Sequence, residues 1–119
     1  TTQAAEIHLQ WRSRLGDDLQ PPEAEATAVF RIFQEMLSNV LRHARARTVA
    51  VDLQVQDGLL QLQVRDDGVG ATAQALEAPT AYGVRGMRER ARQLGGRLLI
   101  HSAPGQGSSL LLQVPWRPA

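Results

Sequence analysis

The strongest indication of the fold is a long stripe of apolar residues between positions 23 and 45. The stripe repeats at spacings of three and four residues, which places its side chains on one face of a helix. The Pro21-Pro22 pair before Glu23 suits the entry to such a helix. Its apolar face must be buried against another layer of structure. The members are Ala26, Val29, Phe33, Met36, Leu37, Val40, Leu41 and Ala44.

Alternating apolar and polar residues on both sides of this helix predict strands. A loop rich in Gly, Ala, Thr and Pro, with one short helical turn around 73–77, is predicted before a second helix from Val84 to Leu94. We therefore predict an α/β two-layer sandwich, with a mixed, mostly antiparallel sheet covered by helices on one face, in a single domain 1–119. The predicted strands are 7–15, 49–55 and 60–64 (joined by Asp57-Gly58), and 98–100 and 110–114 (joined across 104–107).

Composition excludes several classes of function. The net charge is +1 and only 4% of residues are aromatic, so we expect no nucleic-acid partner. The chain has no Cys and three His without an HExxH pattern, which argues against disulfides and a zinc site. No apolar run approaches the roughly 20 residues that cross a bilayer, so we expect a cytoplasmic domain, whose full-length protein could be membrane-anchored.

Glu35, Asn39 and His43 follow one another at four-residue intervals along the predicted helix. Each step advances about 6 Å and rotates about 40°, so the three side chains edge the apolar face. Glu and Asn offer the oxygen ligands that magnesium takes, and His43 with Arg42 could donate to phosphate oxygens. The alternative interpretation is a solvated polar face.

Two glycine-bearing segments add to this pattern. Asp66 to Gly70 closes a predicted strand, where Asp66 could accept a hydrogen bond from an exocyclic amine such as that of adenine. Gly68 to Ala73 also fits the GxGxxA dinucleotide pattern, but the antiparallel hairpin before it argues against a Rossmann fold. Gly83 to Met87 opens the second helix, where backbone amides favour an anion. Each segment alone is equally compatible with an ordinary turn.

Taken in order, these motifs resemble those of the GHKL superfamily of ATPases and kinases, with the Bergerat ATP-binding fold. Residues 33–44 resemble its asparagine box, 66–70 its DxGxG box, 83–87 its GxxGM box and 105–109 its closing glycine and threonine box. The segments EMLSNVLRHARA and YGVRGMRERARQLGG look most like sensor histidine kinases of the nitrate/nitrite-sensor type.

The resemblance implies ATP and Mg²⁺ as cofactors and a role for each matched residue. It implies that Asn39 and Glu35 hold the metal, with Glu35 as the catalytic residue, and that Asp66 binds the adenine amino group. The remaining residues implied to bind the nucleotide are Arg42, His43, Gly68, Gly70, Gly83, Val84, Gly86, Met87 and Ser108.

The implied reaction transfers the γ-phosphoryl group of ATP to a histidine on a helical dimerisation domain, for relay to a response regulator. None of the three histidines here follows the acceptor pattern of that domain, so we expect a monomeric fragment that binds ATP and barely phosphorylates itself. Two alternatives remain open at this point: a serine kinase of the anti-sigma-factor kind, and a module that senses ATP without transferring phosphate.

Overall fold

The computed structural model describes residues 8–14, 23–40, 46–70 and 82–116. These residues form one five-stranded sheet and two helices. Neither of the two described helices has the length and hydrophobicity of a membrane span. In chain order the elements are β1 (His8–Arg14), α1 (Glu23–Asn39), β2 (Thr48–Gln56), β3 (Leu59–Asp66), α2 (Tyr82–Gln93), β4 (Arg97–Ser102) and β5 (Ser108–Pro115).

The strands lie in the order β1-β2-β3-β5-β4. β1 is parallel to β2, and the three other pairs are antiparallel. The predicted mixed, mostly antiparallel sheet is therefore confirmed. The strand before the GxGxxA segment, β3, is antiparallel to both of its neighbours, β2 and β5, which excludes the parallel sheet of a Rossmann fold.

The two hairpins follow from their turn residues. Asp57 and Gly58 adopt φ angles of 54° and 75°, the left-handed pair that a two-residue turn between twisted strands requires. The β4–β5 hairpin turns through 103–107, where Gln106 N donates to Ala103 O at 3.0 Å. Both predicted hairpins are confirmed.

The core lies between one face of the sheet and the apolar faces of the two helices. The apolar stripe of α1 is confirmed from Ala26 to Val40, while Leu41 and Ala44 lie outside the described residues. The fully buried Ile32 was missing from the prediction, although it follows Val29 by three residues and precedes Met36 by four. The buried apolar residues are Val29, Ile32, Met36 and Val40 near α1; Ala46, Val49 and Val51; Leu60, Leu62 and Val64; Val84, Met87 and Ala91; and Leu98, Leu110, Leu112, Val114 and Trp116.

The element boundaries differ modestly from those predicted. The second helix begins at Tyr82, two residues earlier than predicted, and ends at Gln93. The chain turns away from the helix at Gly95, whose φ of 76° is left-handed, and Gly96 N donates to Ala91 O at 2.9 Å. Three predictions fall outside the described residues: the end of the first helix within 41–45, the outer residues of the first strand, and the loop with its helical turn at 73–77.

Candidate functional site

Glu35 and Asn39 lie on α1 at the border of the core. Both are half-buried, while Met36 between them is fully buried, so the two polar side chains edge the apolar face as their spacing predicted. Both approach Gly83 at the start of α2. A Cβ added at Gly83 would overlap the carboxylate of Glu35 and lie 3.4 Å from Asn39 Oδ1. The tertiary structure therefore brings the asparagine box and the GxxGM box together.

Oxygen atoms of Glu35 and Asn39 converge on this point beside α2, which is the donor chemistry that magnesium prefers. Within the described ranges, no three Asp, Glu, His or Cys side chains cluster as a metal site. Magnesium typically takes one or two protein oxygens and completes its octahedron with phosphate and water. The two residues present fit that pattern.

The residues of the GxxGM box divide between backbone and core roles. Val84 is 8% exposed and Met87 is fully buried, so their side chains pack in the hydrophobic core and do not face a cleft. What this segment can offer an anion is the set of backbone amides in the first turn of α2, which have no partner within the helix. Gly83 lies close to α1, whereas a Cβ at Gly86 would meet open space.

Asp66 is the last residue of β3, and its two carboxylate oxygens have different environments. Its Oδ1 accepts a hydrogen bond of 2.8 Å from the backbone amide of Gly68. Its Oδ2 is buried and has no hydrogen-bond partner within the part of the chain that the structure describes. An acceptor removed from water without a donor is costly, so its presence points to a ligand that supplies a donor.

Burial raises the pKa of the Asp66 carboxyl, and the neighbouring charge of Asp67 adds to that effect. The backbone amides of Gly68 and Ser108 lower this pKa and so partly offset the burial. A raised pKa together with a buried oxygen that lacks a hydrogen-bond partner makes Asp66 a candidate binding residue.

Asp67 has a structural role that the sequence pattern does not indicate. Its Oδ1 accepts hydrogen bonds from the backbone amides of Arg47 at 2.8 Å and Thr48 at 2.9 Å. These two amides, Thr48 first, lower the pKa of the exposed Asp67 carboxyl. Asp67 thus ties the end of β3 to the beginning of β2, and the two adjacent acids have different roles.

The segment 66–70 packs against the β4–β5 turn, which resembles the closing glycine box. Gly105 N donates to Val69 O at 2.7 Å. A Cβ at Gly70 would overlap the carbonyl of Ala103, and one at Gly107 would overlap the carbonyl of Asp66. The close approach of the two segments therefore depends on glycine on both sides.

The structure places the predicted site residues in two groups. Glu35, Asn39 and Gly83 form one group, and 66–70 with the β4–β5 turn forms the other, in which Ser108 pairs directly with Asp66 across the strands. Arg42 and His43 lie outside the described residues. Ser102, which pairs with Ser108 across β4 and β5, also belongs to the second group, and the sequence motifs did not predict it as a site residue. The alternation of the inward-facing Leu98 and Ile100 continues to Ser102 and could have indicated it.

Known proteins are similar to this chain in sequence and in fold. The chain is 40% identical over 90 residues to the sensor histidine kinase LiaS of Bacillus subtilis (strain 168), which covers 76% of this chain and 25% of that protein. It is 35% identical over 98 residues to the sensor protein VraS of Staphylococcus aureus (strain COL), covering 82% of this chain and 28% of that protein. The chain thus spans about a quarter of the length of these curated relatives.

Solved structures show the same architecture. The histidine kinase domain from the Erythrobacter litoralis EL346 blue-light activated histidine kinase superposes with a TM-score of 0.78 at 24% identity, covering 95% of this chain and 52% of that chain. The predicted α/β sandwich is thereby confirmed. The family model for histidine kinase-, DNA gyrase B- and HSP90-like ATPases matches residues 24–118. The matched family model and the pairwise contacts of its motifs agree, and this chain belongs to the family of histidine kinase-, DNA gyrase B- and HSP90-like ATPases.

Proposed function

We propose that this chain is a single catalytic domain, residues 1–119, that binds Mg-ATP and donates the γ-phosphoryl group to a histidine on a separate helical dimerisation domain. From that histidine the phosphoryl group would pass to a response regulator. The proposal is supported by membership of the ATPase family and by relatives named as sensor histidine kinases. The observation that carries it is the buried Oδ2 of Asp66, an acceptor poised for the amino group of adenine.

The nucleotide would lie along the two groups of residues. Asp66 would accept from the adenine amino group, with Gly68, Gly70 and Ser108 shaping that end of the site. Towards the phosphates, Asn39 and Glu35 would hold Mg²⁺, which when bound neutralises charge on the β- and γ-phosphates. The remaining proposed contacts are the backbone amides of Gly83 and Val84, and the side chains of Arg42 and His43. Gly86 would leave open space for the nucleotide beside the helix, and Met87 would anchor the helix in the core.

The phosphoryl transfer itself would depend on positioning and charge. The transition state for phosphoryl transfer requires little covalent chemistry from the protein. Most of the catalysis therefore comes from holding the phosphates and the acceptor in position and from neutralising charge. Glu35 would orient the metal or a water molecule, or assist the attacking imidazole. Its placement against the first turn of α2 joins it to the segment proposed to hold the phosphates.

Asn39→Ala should remove the part of nucleotide affinity that depends on magnesium. We expect wild type to bind ATP about tenfold more tightly with Mg²⁺ than with EDTA, and Asn39→Ala to lose most of that difference, because one oxygen ligand is gone. Isothermal titration calorimetry measures both affinities. Gln34→Ala, an exposed position on the same helix, is the control and should behave as wild type.

An unmeasurable affinity of wild type for ATP would contradict the proposal, as would an affinity unaffected by both magnesium and Asn39→Ala. Incubation with radiolabelled ATP and the dimerisation domain of the full-length kinase then tests the transfer. Phosphohistidine is labile in acid and stable in base, whereas the phosphoserine of an anti-sigma-factor type kinase is stable in acid. Tight ATP binding without any transfer would instead support the ATP-sensing alternative.

Gly83→Ala should weaken Mg-ATP binding about tenfold with little change in stability, because its methyl group would displace the Glu35 carboxylate, the flexible end of a side chain. Gly86→Ala shows the effect of helix propensity alone on the free domain, because its methyl group meets open space in the same helix, and it should stabilise the domain by about 0.5–1 kcal/mol. Arg90→Ala, at an exposed position of the same helix, is the control for Mg-ATP affinity and should behave as wild type. Calorimetric titration and urea unfolding measure the two effects. Unchanged Mg-ATP affinity in Gly83→Ala would show that the position of Glu35 is unimportant.

A further inference from the structure

At one end of the sheet, on the face that the helices cover, one row of neighbouring residues contains three polar side chains and one apolar side chain. The row crosses four strands, from Val49 in β2 through Asp66 in β3 and Ser108 in β5 to Ser102 in β4. Directly opposed residues on one face have Cβ atoms about 5 Å apart, so these side chains are neighbours. The next row inward is wholly apolar and consists of Val51, Val64, Leu110 and Ile100. The three polar residues therefore form one group at the border of the core.

The hydroxyl groups of Ser102 and Ser108 form a chain of hydrogen bonds in which the donor and the acceptor of each bond can be assigned. Ser102 Oγ lies 2.8 Å from Ser108 Oγ and 3.3 Å from the carbonyl oxygen of Gly107. A carbonyl oxygen can only accept, and a serine hydroxyl has a single proton to donate. Both hydrogen bonds form together only if Ser102 donates to Gly107 and Ser108 donates to Ser102.

This direction determines what Ser108 offers to its other neighbours. With its proton directed to Ser102, the oxygen of Ser108 keeps lone pairs and acts as an acceptor. Asp66, directly opposite on β3, has the buried acceptor Oδ2. This end of the site therefore presents two acceptors, which match the two N–H groups of a 6-amino purine. A 6-oxo purine would place a third acceptor against them.

We propose that Ser102 is a specificity-determining positioning residue, which holds the Ser108 hydroxyl as an acceptor and so strengthens selection of 6-amino over 6-oxo purine nucleotides. This inference rests on the proposed function, because it concerns the same nucleotide site. It gives a role to a side chain that none of the sequence motifs includes. Ser102 acts through Ser108 and needs no contact with the nucleotide.

The test compares the affinities of ADP and IDP, which differ at position 6 of the purine and in the proton on N1. Wild type should strongly prefer ADP. In Ser102→Ala the Ser108 proton is released and can turn towards the 6-oxo group of IDP, so we expect the preference for ADP to fall about tenfold. Ser102→Thr keeps the hydroxyl and should retain the preference. Ser109→Ala is the matched control, because Ser109 is the next residue of β5, on the opposite face, where it accepts from Gln63 Nε2 at 3.1 Å.

A double-mutant cycle separates this role from a general loss of structure. If Ser102 acts through Ser108, then adding Ser102→Ala to Ser108→Ala should not change the ratio of the two affinities further. An unchanged ratio in Ser102→Ala, with tight ADP binding by wild type, would overturn the inference and leave the proposed function intact. Equal effects of Ser102→Ala in both backgrounds would also overturn it. Failure of wild type to bind either nucleotide would overturn the proposed function itself.

Discussion

Asp66→Asn should weaken ADP binding by about 100-fold. The variant replaces one carboxylate oxygen by an amide donor, and the buried Oδ2 position would then present N–H groups to the amino group of adenine. A hydrogen bond to a charged group contributes about 1.5–3 kcal/mol, and opposing donors add a desolvation cost. The remaining side-chain oxygen can still accept from Gly68, so the turn after β3 should persist. Isothermal titration calorimetry measures the affinity.

The free Asp66→Asn domain should be at least as stable as wild type at pH 7. Burial raises the pKa of Asp66 in the folded state above its unfolded value, so the folded state binds the proton more tightly. The stability linked to that proton is present at low pH and is lost as the pH rises through the folded pKa. The amide of the variant stays neutral, so the stability gap between variant and wild type should close as the pH falls below about 4, the pKa of an unfolded Asp.

Urea unfolding at pH 7 and pH 3 measures this stability gap. In addition, ADP binding by wild type should weaken as the pH falls through the raised pKa of Asp66, because the carboxylate is then protonated. Asp67→Asn is the matched control, because Asp67 is adjacent but exposed, and its carboxylate accepts from the backbone of Arg47 and Thr48. It should retain the preference of wild type for ADP over IDP. Tight ADP binding by Asp66→Asn would rule out Asp66 as the adenine acceptor.

Gly107→Ala should destabilise the domain by about 3 kcal/mol or more. Gly107 has a φ of 73°, and an added Cβ would overlap the backbone carbonyl of Asp66. The left-handed conformation costs a non-glycine residue about 1–3 kcal/mol, and the overlap with fixed backbone adds to that cost. A shift of either strand end to relieve the overlap would also move Asp66. Urea unfolding of the free domain measures the loss.

Gly105→Ala separates the cost of the left-handed conformation from the cost of the steric overlap. Gly105 lies in the same turn with a φ of 77°, but an added Cβ there meets nothing within 4 Å. This variant should therefore show only the conformational cost, about 1–2 kcal/mol. The difference between the two variants measures the steric contribution of the contact between β3 and the turn. Equal losses in both would mean that the contact with the Asp66 carbonyl can relax without cost.

Local sequence patterns were sufficient to predict the elements of the fold. The spacing of Val29, Met36 and Val40 predicted the buried face of α1, and Asp57-Gly58 predicted the hairpin, because helix period and turn conformation depend on neighbours in the chain. The same patterns did not predict the parallel pairing of β1 with β2 or the central place of β3. Strand order depends on contacts between distant segments, which periodicity does not report.

The candidate site divides in the same way. The four-residue spacing of Glu35 and Asn39 placed both at the border of the core, where the structure has them, and glycine-bearing boxes were recognised from their residues alone. Their assembly depended on tertiary contacts, such as that of Gly83 with α1. The different environments of the adjacent Asp66 and Asp67 also required the structure, since one carboxylate is partly buried and the other is exposed.

Interactions within a few residues fix the face of a helix or strand, or the turn, on which each side chain lies, so these features could be predicted from the sequence. The assembled fold sets which of these side chains meet. It left Asp66 Oδ2 buried without a donor among the described residues, and it placed Ser102 against Ser108 through the pairing of β4 with β5. Burial and the direction of a hydrogen bond depend on groups far apart in the chain, so both are properties of the assembled fold.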